Sequence, residues 1–280
     1  METKLNYKRT FLIGLAFLSI CSFWQMYDNI IPLILQNTYH LGETMTGAVM
    51  ALDNVLAIFL LPVFGALSDK VHTKLGRRMP FIVAGTILAV IFMMLLPMID
   101  NAEKARWNTG ESFSNQVIFL AVLFFTLVSM GLYRSPAVAL MPDVTPNHLR
   151  SRANAVINLM GAVGGVYALI MIKVLVGKGE TPDYLPLFAS IAAVMAIAVG
   201  ILVITIRENK LREEVEKAEA ANAGTIEEKA MAEGVEAAGE IEAVGDTGEI
   251  KSFDGKKQTG KTEGTKGMPK EVKRSMYFML

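Results

Sequence analysis

MTGAVMALDNVLAIFLLPVFGALSDKVHTKLGRRMPF, residues 45–81, holds the pattern that decides the fold: a long apolar run, a basic turn and the opening of a second apolar run. A bilayer core of roughly 30 Å needs about 20 helical residues at about 1.5 Å each. Met45–Leu67 meets that length with Asp53 and Asn54 as its strongly polar interruption. The turn after it gathers Lys70, Lys74, Arg77 and Arg78, and Met79 starts the next run.

The pattern repeats in both directions. It predicts six spans, Phe11–Leu35, Met45–Leu67, Met79–Ile99, Gln116–Leu140, Ala153–Val176 and Leu185–Ile206. Ordinary breakers separate them: Gly42, Gly76-Arg77-Arg78, the polar stretch Asp100–Asn115, Pro142 with Pro146, and Gly177 through Pro182. Of the 280 residues 52% are hydrophobic and 19% charged, more apolar surface than one soluble core can hide. The expected fold class is therefore an all-α membrane protein built on a six-transmembrane-helix bundle.

Lys and Arg collect at alternate ends, which predicts orientation because positively charged loops stay on the cytoplasmic side. Lys4, Lys8 and Arg9 precede the first span, Lys70 to Arg78 follow the second, Arg150 and Arg152 follow the fourth, and Arg207, Lys210 and Arg212 follow the sixth. The other ends carry only Lys104, Arg106 and Lys178. Both ends of the bundle are thus expected in the cytoplasm, with a multi-pass protein in the cell membrane. The first run is too long for a secretory signal, and no small-residue cleavage site follows it.

Residues 1–10 read as a cytoplasmic N-terminus and 11–206 as the bundle. Residues 207–272 switch to Glu, Ala, Gly, Lys and Thr, too poor in large apolar groups to offset the entropy of ordering, and read as a largely disordered cytoplasmic linker. A short charged helix is expected from Arg207 into Ala221. Residues 273–280 turn apolar again, which reads as the opening of a seventh span in a longer, truncated chain. The zero net charge averages these unlike parts and gives no ground for a nucleic-acid partner.

Polar groups inside the spans mark where function should lie, since an ionised side chain near the bilayer centre costs roughly 2.5–3.5 kcal/mol. Gln25, Asp28, Asn29 and Pro32 share one helical stripe, and Asp53 with Asn54 interrupts the second span. At 1.5 Å per residue Asp28 lies about 26 Å and Asp53 about 21 Å from the cytoplasmic boundary, deep enough to share one aqueous vestibule. Desolvation and mutual repulsion disfavour ionising both, which suits a proton carrier; the rival role is a hydrogen-bonded pair that locks helices together. Thr126, Ser129 and Tyr133 lie on neighbouring faces of the fourth span beside Arg134, about 9 Å deep, able to bind a hydroxyl, meet a carboxylate or snorkel to the headgroups.

In the fifth span Asn154 and Asn158 share a face, and Gly161 with Gly165 forms a small-xxx-small packing pair. Trp24, Tyr133 and Tyr167 offer stacking surfaces for a sugar ring, or simple packing. His40, His72 and His148 have no metal-ligand neighbours, and lone Cys21 makes neither a disulfide nor a metal site, so no metal and no cofactor is expected. Nothing in the chain reads as a nucleophile with its base or as a phosphate-binding glycine loop, so an enzyme is not expected.

Gly65-Ala66-Leu67-Ser68-Asp69-Lys70, followed after a short insertion by Gly76-Arg77-Arg78-Met79-Pro80-Phe81, resembles the signature loop between helices two and three of the major facilitator superfamily. The insertion resembles the sugar-cation symporter branch, the glycoside/pentoside/hexuronide and sucrose-transporter-like proteins. Two further segments agree: Met50-Ala51-Leu52-Asp53-Asn54 ahead of Leu61-Pro62-Val63-Phe64-Gly65, and Tyr133-Arg134-Ser135-Pro136 through Leu140-Met141-Pro142-Asp143, then Leu149-Arg150-Ser151-Arg152-Ala153-Asn154. The resemblance implies the N-terminal six-helix bundle of a major facilitator fold, with membrane lipid around it and a C-terminal six-helix half as its partner. Sodium-coupled members carry a second acidic residue where this chain has Ala57, Leu60 and Leu61, and another near Arg134. Those departures favour protons over sodium.

The sequence therefore predicts half of a secondary transporter for a glycoside or disaccharide such as sucrose or maltose, coupled to protons by alternating access. Asp28 and Asp53 are the expected proton-coupling groups. Gln25, Asn29, Asn54, Tyr133, Arg134 and Asn158 are the expected sugar ligands. Asp69, Arg77, Arg78, Asp143, Arg150 and Arg152 are expected to latch the cytoplasmic ends as a gate. The alternative is a complete six-helix channel subunit or membrane anchor with a regulatory tail.

Overall fold

The computed structural model describes residues 6–220 apart from 72, 74, 110–115, 178, 180, 181 and 218, all within the compact unit Met1–Glu227. Most of the expected linker and the expected seventh span lie outside the described residues. Among the described residues the regular elements are all helical: α1 Tyr7–Asn37, α2 Glu43–Met50, α3 Leu52–Lys70, α4 Met79–Thr109, α5 Gln116–Asp143, α6 Arg150–Leu175, α7 Leu185–Thr205 and a polar helix α8 over 208–217. Among the described residues six segments are long and apolar enough to cross a membrane, Glu43–Lys70 counting as one. The chain is a multi-pass membrane protein.

Each boundary has a local cause. Asn6 starts α1 by accepting from the Arg9 backbone N–H at 3.3 Å. Ala51 interrupts the second span with near-helical φ −74° and ψ −13°, and Val55 N–H donates to the Ala51 carbonyl at 3.2 Å, so the helical run resumes at once. The clearest difference from expectation is α4, which runs on from Asp100 to Thr109 where a polar loop was predicted.

Buried partners explain that extension. Asp100 accepts from Thr38 Oγ1 of the α1 C-cap at 2.6 Å and from Lys104 Nζ, four residues on, also at 2.6 Å. Lys104 donates further to the Pro182 carbonyl at 2.7 Å and lies 4.6 Å from the centre of the Tyr184 ring. Asp100 is fully buried, so its charge is taken from water and returned as hydrogen bonds. Burial first, and then the Asp100 carboxylate, push the Tyr184 phenol above its usual range. This knot ties the C-cap of α1 and the segment entering α7 to the last third of α4, opposite the arginine-rich end.

The core forms where α1 meets α6 and α7, and α4 meets α5 and α7, while α3 leans on α5. Gly161 and Gly164 set the closest approach. A Cβ on Gly164 would collide with the Leu18 carbonyl, one on Gly161 would stand 2.9 Å from Cys21 Sγ, and Ser22 Oγ donates to the Gly164 carbonyl at 2.8 Å. Gly165 is not the second member of the pair: its added Cβ would meet only Gln25 Oε1 at 3.7 Å, an ordinary contact. In contrast α3 buries only Ser68, and Val55, Ile58, Phe59, Val63 and Leu67 face outward.

Candidate functional site

Two polar regions stand out, one at the arginine-rich end and one within the spans. At the arginine-rich end Arg78 is the hub. Its planar guanidinium presents a fixed fork of donors, and the ends of α3 and α5 supply an acceptor in each direction. Nε donates to Asp143 Oδ2 at 3.0 Å, Nη2 meets Asp69 Oδ1 at 2.6 Å, and Nη1 reaches the Gly65 carbonyl at 3.2 Å and the Ser68 hydroxyl. Arg77 Nη2 stands 3.7 Å from the same Asp143 oxygen. The ends of α3, α4 and α5 are thereby joined through one 7%-exposed side chain.

Arg150 and Arg152 do not enter this ion-paired cluster. Arg150 donates from Nε to the Thr145 carbonyl at 3.2 Å and from Nη2 to the Pro142 carbonyl at 2.9 Å, closing its own turn. Arg152 is exposed two residues further along the first turn of α6. The 3-10 turn Asn147–Leu149 rotates this segment so that Arg150 points back at main chain.

The cluster contains a residue that the sequence does not announce. Glu208, 1% exposed, accepts from the backbone N–H groups of Arg77 at 2.8 Å, Arg78 at 3.0 Å and Met79 at 3.1 Å. These are donors that the start of α4 leaves without helical partners, and a carboxylate there also complements the helix dipole. Gly76, at φ +124°, must be glycine twice over, since a Cβ would run into the Glu208 carboxylate. Asn209 Nδ2 donates to the Thr73 carbonyl at 3.1 Å and Arg9 meets Glu214 at 2.8 Å, so α8 is strapped to the loop and to the start of α1.

Within the spans the polar stripe of α1 lies as predicted. Asp28 and Asn29 are exposed and Gln25 half-buried, while Phe23, Met26, Tyr27, Ile30 and Ile31 on the other faces are buried. Asn29 Nδ2 donates to the Gln25 carbonyl at 2.7 Å, and Asn54 Nδ2 to Asp53 Oδ1 at 3.1 Å. Asp28 and Asp53 sit on two different helices, α1 and α3. Asp53 shares a narrow cleft with Trp24, Leu60, Gly131 and Arg134. The Arg134 guanidinium carbon stands 5.5 Å from the Trp24 ring centre, a cation–π distance that turns the charge inward to the cleft.

Tyr133 and Asn158 are elsewhere. Tyr133 is fully buried, its hydroxyl 2.6 Å from Ser19 Oγ and donating to the Ala16 carbonyl at 3.1 Å, with the Gly85 backbone against its own. Its hydroxyl joins α5 to α1. Asn158 is exposed on α6, level with the α1 stretch around Gly14 and Cys21 rather than with Asp28.

Six membrane-length helices with a charge cluster at one end and a carboxylate cleft between spans define a polytopic bundle of the carrier type. The chain belongs to the Major Facilitator Superfamily, whose family model matches residues 7–251. It is similar to a sucrose transport protein of Oryza sativa subsp. japonica, 26% identical over 137 residues that make up 46% of this chain and 27% of the relative. A sucrose transport protein of Arabidopsis thaliana is 35% identical over 116 residues, 39% of this chain and 22% of the relative. The matched stretches span about a quarter of the length of these relatives.

Proposed function

We propose that this chain is the N-terminal six-helix half of a secondary transporter that moves a glycoside or disaccharide, such as sucrose or maltose, together with protons. The observation that carries the reading is Asp53 in a cleft between spans beside an inward-turned Arg134, with Asp28 exposed on the polar stripe of α1. Neither carboxylate makes an ion pair among the described residues, so each keeps oxygens for a proton or a hydroxyl. A carboxylate left in that condition in a membrane interior holds a proton or a ligand for part of a cycle.

In this reading Asp28 and Asp53 carry the proton, and Gln25, Asn29, Asn54 and Arg134 meet sugar hydroxyls from α1, α3 and α5. Asn158 meets the sugar nearer the arginine-rich end. Asp69, Arg77, Arg78 and Asp143 form the inner gate, with Glu208 fixing its loop. The arginine-rich end faces the cytoplasm of a cell whose outer membrane boundary the bundle crosses. The outward faces of α3 and α6 then receive the second six-helix half.

Labelled-disaccharide uptake into vesicles bearing the protein expressed from its intact gene tests this directly. Uptake should collapse with a protonophore and in Asp53→Asn. Uptake indifferent to both would remove the coupling claim.

A further inference from the structure

Buried hydrogen-bond donors are nearly always paired, so an exception in a functional cleft points to a partner that arrives later. Two exceptions lie one helical turn apart on α1. Trp24 Nε1 and Tyr27 OH are both buried, and neither has a hydrogen-bond partner among the described residues. Tyr27 as a whole is 1% exposed, so bulk water does not stand in for the missing acceptor.

The surroundings say which acceptor fits. Trp24 lines the cleft that contains Asp53 and Arg134, and Tyr27, next to Asp28 in the chain, stands one turn further along the same helix. Trp24 and Tyr27 hold each other edge to face at 5.4 Å, and Phe23 packs on both. The two rings thus cannot swing independently. The charged or titratable groups facing them are few: Asp28 and Cys21 on α1, Asp53 on α3, and Arg134 on α5. The spanning stretch of α7 has none, α6 between Arg152 and Lys173 has only Tyr167, and α2 only Glu43.

We propose that Trp24 and Tyr27 are positioning residues, a donor pair held for the carboxylates of Asp53 and Asp28 and engaged when α1 and α3 close on each other. A carboxylate accepts only when it is not already filled, and two neutral donors favour its ionised form. Closure therefore draws the proton off, and reopening releases the donors and lets protonation recur. The step is a proton exchange between carboxyl and cleft water, with no other bond made or broken. The inference rests on the proton-coupled reading above.

Tyr27→Phe separates this role from a structural one. It removes a hydroxyl that bonds nothing here, so a purely structural role leaves uptake and its pH profile as they were. The donor role predicts folded protein whose uptake profile moves to higher pH by about half a unit or more, because protonation is no longer opposed. A second readout does not depend on transport. With Trp107 and any tryptophan encoded beyond residue 280 replaced by Phe, Trp24 is the sole indole, and its emission maximum should change with pH in the reconstituted protein and cease to do so in Asp53→Asn. A Tyr27→Phe profile that superimposes on the wild type, or a Trp24 emission flat with pH, overturns the proposal. Wild-type uptake indifferent to a protonophore would instead remove the coupling reading, and the emission titration would still report on the donor pair.

Discussion

The arginine-rich end and the cleft between the spans use the same residue types in opposite ways. At the end, Arg78 meets two carboxylates, a carbonyl and a hydroxyl, and Glu208 accepts three N–H groups. In the cleft, Asp53 receives one neighbouring amide, Arg134 only a ring face, and two buried donors bond nothing among the described residues. A saturated charge is rigid, and losing one partner strands the others. An unsaturated charge costs stability as it stands and keeps valence for a ligand.

Removing the hub should break this contrast most severely. Arg78→Met leaves Asp143 only the longer contact to Arg77 and half-exposed Asp69 without its arginine, and is expected to cost about 2–4 kcal/mol, read as a large drop in thermal unfolding temperature in detergent. Arg78→Lys keeps the charge but loses the fork, and should recover only part of the loss. Next comes Glu208→Ala, which leaves buried N–H groups without an acceptor and should cost about 1–3 kcal/mol in the same assay.

Packing gives a third test. Gly164→Ala forces a Cβ against the Leu18 carbonyl and should destabilise by about 1–3 kcal/mol, while Gly165→Ala, with room for its methyl, should be close to neutral. Equal effects at the two positions would contradict the helix contact described for α1 and α6. The smallest effect on stability belongs to the cleft. Asp53→Asn should leave unfolding within about 0.5 kcal/mol of the wild type and still abolish protonophore-sensitive uptake.

The spans were legible in the sequence because length and hydropathy are local properties, and all six reappear with ends shifted by a few residues, apart from the extension of α4. That extension depends on Thr38 and Pro182, which no local pattern links to Asp100 and Lys104. The pairing of Asp69 with Arg78 was legible because both sit in one short motif. Glu208 was not, since its partners are backbone N–H groups, which every residue except proline has and which leave no trace in composition. Tyr133 and Arg134 show a third limit. Successive helical residues point about 100° apart, so of two adjacent polar candidates one turned into the α1 contact and the other toward Trp24.

The meeting of Gly164 with Leu18 has a mechanical meaning. Where two rods touch through main chain, there are no rotamers at the seam to reshuffle, and sliding by a fraction of an ångström already brings a carbonyl into collision. α1 and α6 are welded along that line and must travel as one beam. The second span has no such seam: within this half α3 buries only Ser68, and the break at Ala51 stands two residues from Asp53.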